Sequence, residues 1–412
     1  MRFQWLKSCK MLLIAGGAAL MLTACGSSEG ASGKVQIEFF QNKPEAKESF
    51  DKLVEKFNQE QSEIEVIQVN PPDAETVLKT RLVKNDVPDI MALGATDTFS
   101  MLSQSGIFME QTDQEMIDLI NPSYIQMVKD VSGLEELTGI PFATNANGIM
   151  YNKTLFREMG LEVPKTWDEL IATAEKIKDA GKIPFYLTYK DDWQTNLAFN
   201  SLAPNLEGID FYLQRREGEV TFQERYREIA EKQLKILDYG HSDNFGKTYA
   251  DGNRAFANGD AFMYIQGTWA IPEIRKANPD IEIGFFPFPT GNDPEEIKLV
   301  NGIDTLLTIS EDTEHQAEAI EFIKFLLRED NMKQYIDEQN LFAAVEGVTQ
   351  DDSSVAEILP YIERGQVTDF ADHYIPSAVQ LNSIVQEFLQ VGDIDAYLKK
   401  LDEEWDKVAN RR

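Results

Sequence analysis

Cysteine and histidine are scarce in this chain of 412 residues, with two of the first and three of the second. Cys9 and Cys25 both lie at the N-terminal end, so no disulfide staples the body of the fold and a sizeable core has to hold it. His241, His315 and His373 never share a helical turn and have no thiolate beside them, so neither a metal site nor a cofactor is expected. Positive charge is short too: 39 Lys and Arg stand against 70 Asp and Glu, a formal net charge of −31. Phosphate backbones repel such a surface, which excludes nucleic acid as a partner. Beyond the first two dozen residues no long apolar run occurs, so nothing further along is expected to span a membrane.

Against this background the N-terminus stands out. Arg2, Lys7 and Lys10 precede the apolar or small run Met11–Leu22, and no acidic residue appears before Glu29. A basic leader followed by about a dozen apolar residues is the layout of a secretory signal, short of the roughly 20 that a spanning helix needs. "LTAC" then reads as a lipobox, in which residues 1–24 are removed and the Cys25 sulfur carries a diacylglyceryl group. The plainer alternative is an ordinary signal in which Cys25 is incidental. With the anchor, the acidic chain is held at the extracytoplasmic face of the cell membrane by lipid alone. Residues 25–33 contain the small polar run "SSEGASG", a linker that stands the fold off its anchor.

The body alternates strand and helix patterns. "KVQIEFF" places Val35, Ile37 and Phe39 on one face of a strand, and Ala46, Phe50, Leu53, Val54 and Phe57 then recur at helical steps. "IEVIQV" (64–69), a helix through Val77, Leu78 and Leu82, and "VPDIMAL" (87–93) complete a β-α-β-α-β order, which implies a mainly parallel sheet. A second unit starts near Phe142 with "GIMYN". Its helix after Pro164 has Thr166 as cap, Glu169 three residues on as in a capping box, and Gly181 at its end. Strands are expected at 183–189, 261–266, 281–288 and 302–309, and helical pattern almost throughout from Glu314. Two α/β units with a helical tail are the result, and ligands of such units bind beyond the carboxyl ends of the strands.

Enzyme signatures come close and fail on context. "GSSEG" (26–30) fits G-x-S-x-G by letter but lies in the linker, with no strand before it and no helix after it. "GHSDNFGKT" (240–248) has five residues between its glycines where a phosphate loop needs four. With 70 acidic residues, carboxylate pairs at glycosidase separations arise by chance, so composition does not decide that question. The loops after strands are more informative. "FFQNKPE", "GATDTF", "KDDWQTN" and "QGTWAIP" put amides, carboxylates or an indole at strand ends. Planar polar side chains suit sugar hydroxyls, which donate and accept at once, and an indole stacks on the apolar face of a sugar ring. Trp193 and Trp269 are therefore read as ligand-facing, whereas Trp167 and Trp405, inside helical patterns, are read as packing.

Two blocks, "PFATNANGIMYNKTLFREMGLEVPKTWDEL" and "YADGNRAFANGDAFMYIQGTWAIPEI", resemble the solute-binding lipoproteins of carbohydrate ABC importers, closest to the multiple-sugar and raffinose-binding type. The likeness runs from about Val35 to Val408. It implies a two-lobed, periplasmic-binding-protein-like (type II) α/β fold with hinge strands and a helical C-terminal segment. The lobes would be 34–142 with about 291–343, and 143–290 with about 344–412, with chain crossings near 142–147, 288–292 and 343–348. It implies a monomer that binds an oligosaccharide between the lobes and delivers it to permease subunits without catalysing a reaction. It places ligand contacts at Gln41, Asn42, Glu45, Asp97, Asn145, Trp193, Trp269, Asp304, His373 and Tyr374. "LGATDTF" lacks the aromatic that maltose-binding relatives carry just before the aspartate, which argues against their ring-stacking pattern in the first lobe. An exported glycoside hydrolase and a sugar-sensing subunit of a signalling receptor are the competing readings.

Overall fold

The structure, a computed structural model, describes residues 33–409. The leader, Cys25 and all of the linker but Gly33 lie outside the described residues. Among the described residues no helix is long and apolar enough to cross a membrane.

Ten strands form one mixed sheet. β1 (Val35–Gln41) lies between β2 (Ile64–Val69) and β3 (Ile90–Leu93), parallel to both. The helix Lys47–Glu60 joins β1 to β2 and buries Phe50, Leu53, Val54 and Phe57, the residues that its three- and four-residue spacing selects. Phe50 meets Phe39 of β1 edge to face at 5.0 Å and Tyr335 at 4.7 Å. The helices Gln316–Leu326 and Glu329–Gln339 close over the same core, with Phe322 at 5.3 Å from Phe39.

Two long strands carry the sheet across the molecule. β4 (Ile140–Asn152) is antiparallel to β8 (Leu299–Ile309) along its first half. Along its second half it pairs with β6 (Ala261–Gly267) and β7 (Ile283–Phe286). β5 (Ile183–Phe185) runs parallel to β6 at the far edge, so the main order is β2-β1-β3-β8-β4-β6-β5. The short strands β9 (Phe342–Ala343) and β10 (Val367–Thr368) add to β4 and β8.

The parallel arrangement expected of the first unit holds for β1–β3, and β5 and β10 also pair parallel with their neighbours. β8 enters antiparallel between β3 and β4, so the whole sheet is mixed. Strands buried on both faces read as apolar runs whatever their direction, so the pattern could not show this. Several strands are shorter than their apolar runs. Pro88 has no N–H for a ladder and β3 begins at Ile90, while Pro287 stops β7 after Phe286. Residues 340–380, expected to be largely helical, are mostly turns with two-residue strands and short helical turns.

Candidate functional site: a cleft between the two halves of the sheet

A cavity of about 600 Å³ opens where the loops of both halves meet. From the first half come Asn42 and Lys43 after β1, Thr96 and Asp97 after β3 and Asp304 of β8, while Asn145 lies on β4, which reaches both halves. From the second come Asp192 and Trp193 on a 3-10 turn, Asn200, Trp269 and the segment from Phe370 to Ser383.

Trp269 owes its position to the turn between β6 and the helix Ala270–Ala277. Thr268 N–H donates to Ala146 O at 2.9 Å and Asn340 Nδ2 donates to Thr268 O at 3.1 Å, which fixes the backbone just before the indole. The ring folds back over Gly267, whose missing side chain makes the room: a β-carbon there would lie 1.9 Å from the nearest indole carbon. Phe370 flanks the same indole at 6.4 Å. Trp193, 36% exposed, is propped by Tyr249 at 5.2 Å.

Polar groups converge on the floor. Asp304 Oδ1 takes the Lys43 ammonium in an ion pair and accepts from Asn145 Nδ2 at 2.9 Å, while Oδ2 accepts from Thr305 Oγ1 at 2.9 Å. Asp97 Oδ2 accepts from Ser377 N–H at 3.2 Å, which ties the first half to the C-terminal segment. His373 places Nδ1 at 2.9 Å from Oδ1 of Asp369, a carboxylate that is only 2% exposed. Burial opposes a charge on His373, and the carboxylate of Asp369 overrides it, so the imidazole pKa is raised. The Asn42 Oδ1 atom is buried without a hydrogen-bond partner, an acceptor that a ligand hydroxyl would satisfy.

Seven of the ten expected contacts meet here: Asn42, Asp97, Asn145, Trp193, Trp269, Asp304 and His373. Gln41 does not. It is 1% exposed, and its Oε1 accepts from Lys43 N–H at 2.7 Å, so it shapes the loop from below. Tyr374 does not either: its ring turns into the core and stacks on Tyr212 at 5.8 Å. Glu45 falls in the turn Pro44–Ala46, and its side chain lies outside the described residues. Lys43, Asn200, Asp372, Ser377, Gln380 and Asn382 line the cleft unforeseen. Adjacency to Asn42 could have found Lys43. For the C-terminal group the available signal was Pro376 inside an assumed helix.

The match to known proteins follows this geometry. A family model for bacterial extracellular solute-binding proteins matches residues 42–333. The chain belongs to that family. The Multiple sugar-binding protein of Streptococcus mutans is 32% identical over 363 residues, 85% of this chain and 86% of that protein. The apo form of RafE from Streptococcus pneumoniae superposes with a TM-score of 0.81 at 26% identity, covering 93% of this chain and 99% of that one. RafE in complex with raffinose superposes at 0.77 and 26% identity, covering 91% and 100%. The fold is therefore the two-lobed α/β fold of solute-binding proteins, with β4 pairing with β8 at one end and with β6 at the other.

Proposed function

We propose that this solute-binding protein is a non-catalytic receptor that closes on an oligosaccharide and delivers it to the permease of an ABC importer. The observation that carries the reading is the pairing of two indoles, Trp193 and Trp269, with planar polar groups in one interlobe cleft. Amides and carboxylates meet hydroxyls edge-on while the indoles cover the apolar ring faces. The binding of sugar by the Streptococcus mutans relative and of raffinose by RafE supports the same ligand class. The lobes are 34–142 with about 291–343, and 143–290 with about 344–412. In support, the helices at 316–339 pack on β1, and the helix Ile394–Ala409 packs on the second unit through Trp405 and Phe222. The closer match to apo RafE than to its raffinose complex supports reading this cleft as open. Ligand would favour the closed form through its differential affinity for the two states, and the permease would read closure as a monomeric receptor's aligned lobe surfaces.

A melting screen over raffinose, stachyose and maltotriose tests the reading. A ligand at 100 times its Kd stabilises by about 2.7 kcal/mol, which raises Tm. A raised Tm, with the sugar recovered intact after prolonged incubation, is the expected result. No shift with any oligosaccharide, or cleavage of the sugar, would contradict it. Anchoring through Cys25 is part of the proposal: Cys25→Ala should free the chain from membranes or block its processing while sugar affinity is kept. Full membrane retention would remove the anchor.

A further inference from the structure

The cleft does not end at Lys43 and Trp269. A second cavity of about 590 Å³ lies behind them, and Lys43, Trp269 and Asp304 line both spaces. One wall of the rear cavity is the helix Lys47–Glu60, through Ser49 and Lys52, with Glu338 and Gln339 of the helix Glu329–Gln339 beside it. The facing wall is the helix Ala270–Ala277, through Pro272, Glu273 and Lys276. The rear space is thus bounded by the same two halves of the molecule as the front.

It is furnished in the same manner. Ser49 Oγ donates to Glu338 Oε2 at 2.6 Å, Gln339 Nε2 donates to Ser49 Oγ at 2.8 Å, and Lys52 pairs with Glu338 at 2.9 Å. Pro272, Leu341 and the indole supply apolar surface among these groups. What lies between the two spaces is the Lys43–Asp304 pair, and the Lys43 side chain is 21% exposed on a flexible four-carbon stem. A sugar hydroxyl can replace the ammonium as a donor to Asp304 when that stem swings aside.

The geometry points to a ligand that runs through both spaces. The front cavity holds the first sugar units, the rear cavity takes the units of a longer chain, Trp269 contacts the oligosaccharide at the junction, and Lys43 sets the length that passes. This rests on the receptor reading and refines it: the preferred ligand is a sugar longer than a disaccharide. The test is calorimetric titration of the intact chain with melibiose, raffinose and stachyose, which carry two, three and four sugar units. For the wild type, stachyose should bind about tenfold tighter than melibiose or better. Glu273→Trp and Lys276→Trp each fill the rear cavity from the helix that forms its outer wall, at side chains 47% and 72% exposed, where folding tolerates the change. In either variant the melibiose-to-stachyose ratio of Kd values should fall to within about threefold of unity. A ratio that stays at the wild-type value in both variants, each melting normally, would overturn the inference. So would a wild type that binds all three sugars equally, which leaves the receptor reading intact. A wild type that binds none of them removes that reading for this sugar series, and the rear-cavity inference with it.

Discussion

Trp269 is partly buried against the core and lines the cleft, so its indole has both a packed and a cleft-facing surface. Trp269→Ala should lower sugar affinity by about 2–4 kcal/mol, by analogy with buried aromatic hot spots, together with some loss of Tm. Gly267→Ala should act in the same direction without deleting the ring, because the new β-carbon would sit where the indole lies. Titration of the folded variants checks this, and a Trp269→Ala protein that melts early but binds normally would remove the indole from the site. His373 makes a separate prediction. Its raised pKa, set by Asp369 against burial, with Asp372 reinforcing it and Lys43 opposing it, means that the folded state binds the proton more tightly. The resulting stability is fully present below the unfolded imidazole value of about 6.5 and is lost as pH rises through the higher folded value. The stability advantage of wild type over His373→Gln, measured by urea unfolding, should therefore shrink as pH is raised above about 6.5. An advantage independent of pH would show that the Asp369 contact is made by a neutral ring throughout.

Among the elements, legibility followed locality. The helix Trp167–Asp179 was readable from end to end because its signals are its own. Thr166 Oγ1 accepts from Glu169 N–H at 3.2 Å, and Gly181 takes a φ of +72° just past the end. Even there the reciprocal half of the box differs, since Glu169 Oε2 accepts from Lys165 N–H at 2.7 Å and not from Thr166. β1 and β2 were readable from alternation and apolar runs. The segment 340–380 was not, because its shape is imposed from a distance: Asn340, at φ +52°, reaches Thr268 O, and Asp372 N–H donates to Asn200 Oδ1 at 3.1 Å. Gln41 and Tyr374 show the same limit at the site. Each neighbours a residue that does face the cleft, and which neighbour turns inward is decided by packing that spacing alone does not encode. The C-terminal helix gives a prediction of its own. Asp402 accepts from Phe222 N–H at 2.8 Å and Gln223 N–H at 3.1 Å, and pairs with Arg215 at 3.3 Å. Arg215 is 6% exposed and lies over the Trp405 ring at 5.7 Å. Arg215→Met leaves Asp402 buried without its cation and should cost about 3 kcal/mol in denaturant unfolding. A cost under about 1 kcal/mol would mean that the two backbone donors suffice for Asp402.

For the whole molecule, one 13-residue strand, β4, belongs to both halves, pairing with β8 at one end and with β6 and β7 at the other. Such a shared strand lets two packed bodies rotate with little repacking in either core, and on the proposed reading that rotation would bring the indoles and amides of the cleft together. A formal net charge of −31 would repel an anionic membrane surface, so attachment on the proposed reading would rest on the lipid at Cys25. The central claim is that a sugar is held between the halves and touches both. Amide hydrogen exchange of the intact chain, with and without the oligosaccharide that most raises Tm, tests it most directly. Slowed exchange is expected on both walls at once: around Asn42–Lys43 and Thr96–Asp97 on one side, and around Trp193, Trp269 and residues 370–383 on the other. Protection confined to one half, or found only away from these loops, would contradict it.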